Sequence, residues 1–183
     1  MTDFQGQIES ERGKLKELLL KIPGFKGYIE MEDRRTADKI LRDVVADRYQ
    51  EQLDKLTGIM TEFVDRGDLV YVDDLEGVVT KMRTFIDRIR HAAYGYSGFF
   101  SAIKVDTGKL DKIYDYDQAL LEGIEGFGGI LDSLASAVEE DQIKGYIAAL
   151  RNAAQEIVTK ADQRKEEITR EDEIPGDDLI PSE

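Results

Sequence analysis

Residues 110–138 read LDKIYDYDQALLEGIEGFGGILDSLASAV, and within them Leu110, Ile113, Asp117, Leu120, Ile124, Phe127, Leu131, Leu134 and Val138 recur at alternating steps of three and four. That spacing places all nine on one stripe of an α-helix. Eight are apolar, and the ninth, Asp117, stands where a leucine is expected. A buried carboxylate is tolerated only when it is paired, hydrogen-bonded or close to an open helix end. This one helix therefore declares both a bundle core and an anomaly within it.

The same period runs through the rest of the chain. Ala37, Leu41, Val45, Tyr49, Leu53, Leu56, Met60 and Phe63 mark one long helix. Leu75, Val78, Met82, Phe85, Ile89, Ala93 and Tyr96 mark the next, and Ile143, Ile147, Leu150, Ala154, Ile157, Ala161 and Ile168 the last. A shorter helix is expected from about Asp3 to Lys21, stopped by Ile22-Pro23-Gly24. Proline breaks helix interiors, and none occurs between Pro23 and Pro175. An average composition of about 5% proline would put about seven or eight there. No comparable period-2 run appears. The fold class is all-α: an up-down antiparallel bundle of four long helices preceded by a short N-terminal helix.

Local chemistry places the breaks. Gly67 is positioned as the left-handed residue after a helix, which makes Arg66-Gly67-Asp68 a helix end rather than an adhesion motif. Asp73 with Glu76 forms a potential capping box for the following helix. Asp106-Thr107-Gly108 separates the next pair, with Asp106 or Thr107 as cap. The heptad phase passes through Gly126, Gly128 and Gly129 and slips only after Val138, so the last turn is expected near Glu139–Gln142.

Charge and composition narrow the function. The 183 residues hold 39 acidic and 25 basic side chains, a net charge of −14, which argues against nucleic acid or an anionic membrane as partner. Residues 171–183 carry six acids and no base. They read as an acidic disordered tail after a helical domain spanning 1–170. Asp38–Arg42, Glu51–Lys55 and Glu62–Arg66 are i,i+4 pairs in the order that suits exposed helix faces. Met1-Thr2-Asp3 lacks the apolar core of a secretion signal, and the longest uncharged run, 92–103, is too short to span a bilayer. A cytoplasmic location is expected, with no nucleic acid and no integral membrane segment.

The absence of cysteine removes thiolate chemistry and cysteine-ligated metals, and a lone His91 removes any site with two imidazoles. A di-iron carboxylate site needs Glu-x-x-His on two helices, but Arg88 precedes His91 by three. Neither a calcium loop nor a phosphate loop can be assembled. No catalytic residue, metal or cofactor is assigned.

If the third and fourth of the five helices fold against each other about residue 106, Asp117 faces roughly residue 95, near Tyr96, Ala92 and His91. A buried Asp–Tyr or Asp–His hydrogen bond would then set their register. Tyr94, Tyr96, Phe99 and Tyr114 gather at the same end of the bundle, and Arg34 and Arg35 approach it. Tyrosine-rich ends serve as contact surfaces. The candidate ligand or partner residues are accordingly Arg34, Arg35, His91, Tyr94, Tyr96, Phe99, Tyr114 and Asp117. The expected function is a non-catalytic protein–protein interaction or assembly module, acting on a protein partner or by self-association. The alternative is a small-ligand sensor with a polar pocket near Asp117. A peripheral regulator of membrane-bound machinery ranks third, because no basic amphipathic face supports it.

Overall fold

A computed structural model describes residues 34–92 and 107–169, with side chains from 38 and from 112 in the two stretches. They form four helices: α1 (Arg34–Arg66), α2 (Leu69–Arg90), α3 (Thr107–Ser136) and α4 (Glu140–Thr169). No strand occurs among the described residues, and the chain is all-α. The expected N-terminal helix, the Tyr94–Phe100 aromatic run and the 171–183 tail lie outside the described residues.

Gly67 ends α1 as its position foretells. It adopts φ 82°, its N–H donates to Val64 O at 3.0 Å, and the Asp68 N–H donates to Phe63 O at 2.9 Å. These two bonds are the paired closures of a Schellman motif, and they satisfy carbonyls that the helix end would otherwise leave open. The Arg66 guanidinium stacks over the Phe63 ring at 4.8 Å, and Phe63 meets Tyr71 across the turn at 5.2 Å. The turn is so tight that α2 begins at Leu69, four residues before the expected Asp73 cap. No side chain caps it; the adjacent Asp74 receives Arg151 from α4 instead.

α3 runs unbroken through Gly126, Gly128 and Gly129. It stops at Ser136, and α4 starts at Glu140, so the turn comes a few residues earlier than the expected Glu139–Gln142. Glu140 and Asp141 place negative charge in the first turn of α4, where it complements the helix dipole. The early stop also corrects the last core position. Val138 is 85% exposed and Ala137 is buried, because residues past the helix end no longer follow its period.

Packing concentrates between α1 and α2, α3 and α4, α2 and α4, and α1 and α3. Within each hairpin the contacts run in opposite senses: Arg42 meets Ile89 and Tyr49 meets Phe85, while Lys112 meets Glu167 and Arg164 meets Asp117. Between hairpins they run in the same sense. Tyr49 bonds Leu120 and Lys55 bonds Asp132; Asp74 pairs with Arg151 and Arg88 with Asp162. Both short turns therefore sit at one end. The core is continuous along the stack, with Tyr49, Phe63, Phe85 and Phe127 its largest fully buried members.

Candidate functional site

The end opposite the turns holds a group of charges sealed inside the bundle. Asp38 and Arg42 come from α1, where a spacing of four puts them on one face. Asp117 comes from the apolar stripe of α3. Arg164 comes from α4, at the stripe position between Ala161 and Ile168. All four are nine-tenths or more buried, Asp117 and Arg164 at 2% and 3% exposure.

Arg164 holds the group together. Its Nε donates to Asp117 Oδ1 at 2.6 Å and its Nη2 to Asp117 Oδ2 at 3.2 Å, a two-pronged grip on one carboxylate. The same Nη2 also donates to Asp38 Oδ1. The second oxygen of Asp38 accepts from Arg42 Nε at 2.9 Å. Arg42 Nη1 then donates to Ile89 O at 3.1 Å, in the last turn of α2, where a cation also meets the negative end of the helix dipole. Two carboxylates face two guanidiniums, so the group is neutral, and it ties all four helices. One turn farther along α4, the buried Glu167 pairs with Lys112 of α3 at 3.1 Å.

Burial pushes the pKa of Asp117 up from the ordinary 3.8; Arg164 pulls it back by charge and hydrogen bonding, Asp38 adds to the rise, Arg42 opposes it, and the net shift is upward. The folded chain thus holds this proton more tightly than the unfolded chain does. The stability it contributes is full below about pH 3.8 and is lost as pH rises through the folded value. Asp117→Asn keeps the shape and abolishes the titration. Wild type should therefore gain stability relative to the variant when urea midpoints are compared at about pH 8 and then about pH 4. A constant difference, or one of opposite sign, would refute the upward shift.

The structure brings together only part of the expected site. Asp117 and Tyr114 are buried on one face of α3. His91 does not reach Asp117: it is the exposed residue after α2, with Nδ1 3.0 Å from Asp87 O. The expected Asp–His bond is replaced by the Arg164 pair, because α3 packs chiefly on α4 and α1 rather than on α2. Arg34 and Arg35 lie in the first turn of α1 with side chains outside the described residues, as are Tyr94, Tyr96 and Phe99.

Sequence reasoning missed Arg164, Asp38 and Arg42. The signal for Arg164 was present: Ala161 to Ile168 is a gap of seven, and the missing member of the series is an arginine. Asp38–Arg42 was expected on an exposed face and is buried, since that face turns toward Arg164 and Ile89.

Every oxygen of Asp38 and Asp117 accepts from a guanidinium, which leaves neither carboxylate poised for proton transfer to a bound molecule. Beside the cations, however, a cleft of about 220 Å³ lies between α2 and α4, lined in part by Arg42, Arg164, Phe85 and Ile89. Among the described residues no group of three or more His, Asp or Glu side chains is placed to hold a metal ion. Nor is any described helix long and apolar enough to cross a membrane.

Compared with protein-family models, curated proteins and solved structures, the chain matches none.

Proposed function

We propose that this chain is a non-catalytic protein–protein interaction or assembly module of the cytoplasm. In this reading it is an up-down antiparallel bundle of four long helices behind a short N-terminal helix. The alternating sense of the contacts within and between the two hairpins supports that course.

One observation carries the functional proposal. Val64, Leu69, Val70 and Val138 are 49%, 60%, 70% and 85% exposed, and both turns that bear them share one end of the bundle. Large apolar side chains grouped on an otherwise charged surface mark contact sites. This is the end opposite the one the aromatic residues singled out. Val64 also lines, with Met60 of α1 and Val72 and Val79 of α2, a cleft of about 520 Å³ between these two helices.

Leu69→Lys with Val70→Lys leaves the buried core untouched. The double variant should melt with the wild type, yet lose association at least about tenfold, or about 1.4 kcal/mol, in sedimentation and cross-linking. Wild type that sediments as a monomer and captures no protein through this end would overturn the proposal. The second reading, a small-ligand sensor near Asp117, draws its support from the cleft beside Arg164. The carboxylate itself is closed, so any ligand would meet the arginine side of the network.

A further inference from the structure

The cleft between the C-terminal halves of α2 and α4 has an unusual lining for so acidic a chain. Asp38 and Asp117 balance its Arg42 and Arg164 from the core side, so the charges at its rim are Arg88 and Lys165 against Asp162, two bases to one acid. Its floor is apolar, made by Phe85 and Ile89 from α2 and by Val158 and Ala161 from α4. Arg88 and Asp162 pair across its rim at 3.5 Å, both about half exposed, so they can exchange partners at little cost.

The chain supplies a segment of complementary character next to this cleft. α4 ends at Thr169, one turn beyond Lys165, and residues 170–183 follow directly. Residues 171–183 contain six acids and no base, and their apolar members are Ile174, Leu179 and Ile180. Pro175-Gly176 lies between the first acidic run and Asp177-Asp178-Leu179-Ile180, and Pro-Gly is a strong turn signal. Returning from Thr169 to the level of Ala161 requires about 12 Å along the helix. Extended chain covers roughly 3.3 Å per residue, so the segment is several times long enough.

We propose that this cleft is the docking site of the chain's own residues 171–183. Leu179 and Ile180 rest on the floor between Phe85 and Ala161, and Asp177 and Asp178 face Arg88 and Lys165. Tethering makes the contact intramolecular, with an effective concentration in the millimolar range, so modest contacts suffice. The docking is independent of the turn-end surface, which remains open for a partner.

The absence of cysteine makes a direct test simple. Ser182→Cys in the full chain accepts one nitroxide, read by ¹⁵N amide spectra. The label should erase most of the signal intensity of residues 85–92 and 158–165. Leu179→Asp with Ile180→Asp should restore it, and so should about 1 M salt, where screening acts within about 3 Å. Two outcomes overturn the proposal in the labelled chain: broadening confined to the residues beside Thr169, or broadening indifferent to the Leu179 and Ile180 changes. A third comes from mixing ¹⁵N chain without label and unlabelled-isotope chain with nitroxide. Broadening of the cleft in that mixture would assign the contact to a second copy instead.

Discussion

Arg164→Leu should cost about 3–5 kcal/mol of folding stability, the range for breaking a buried ion pair by removing one partner. Arg164 is the only residue donating to Asp117 in the described network, and it shares Asp38 with Arg42. Without it two carboxylates remain inside the bundle with one guanidinium between them, and Asp117 is only 2% exposed. Against a typical total of about 5–15 kcal/mol, that loss is large. Asp117→Leu should be similarly costly, because it strands half of the Arg164 fork. The double replacement Asp117→Leu with Arg164→Leu leaves Asp38 and Arg42 matched one to one. It should be more stable than either single variant, a coupling of at least about 3 kcal/mol in a double-mutant cycle. Urea midpoints at neutral pH are the measurement. Strict additivity, or an Arg164→Leu variant as stable as the wild type, would show that the network contributes little.

Gly123→Ala should destabilise the fold by about 1–2 kcal/mol, although alanine is the better helix former by about 1 kcal/mol. A Cβ there would lie 2.6 Å from the Tyr49 hydroxyl and 3.5 Å from Ile157 Cγ1. Tyr49 cannot yield easily. It is fully buried, its hydroxyl donates to Leu120 O at 2.7 Å, and its ring stands edge-on to Phe85 at 5.0 Å. Burial also pushes its pKa far above the usual phenol range, so the hydroxyl stays a donor at working pH. Gly126 and Gly129 on the same helix have nothing within 4 Å of a built Cβ, and alanine at either should raise the melting temperature. In a Tyr49→Phe background the penalty at Gly123 should shrink or change sign, since the obstructing oxygen is gone. Equal effects at Gly123 and Gly126 in thermal melts would mean that Tyr49 moves aside freely.

Much of the fold was legible in the sequence because helix formation and core position leave local marks. The heptad of α3 correctly assigned Ile113, Leu120, Ile124, Phe127, Leu131 and Leu134 to the core. Gly67 marked its own turn through its backbone freedom. Failures came where the mark was not local. Asp38–Arg42 and Glu51–Lys55 have the same spacing and chemistry, yet the first pair is buried while Glu51 and Lys55 are exposed. Nothing within α1 separates them; what separates them is that Arg164 and the Ile89 carbonyl stand opposite the first.

Four long helices, the Gly67 turn and a carboxylate on a core stripe follow from the amino-acid sequence alone, because a 3.6-residue period and a turn glycine act over one or two helical turns. Only the tertiary structure decides that Asp117 is held by Arg164, 47 residues on, and that the same guanidinium reaches Asp38, 126 residues back. A period says which face of a helix is buried but not which helix it is buried against. The partner of a buried charge is set by that second choice.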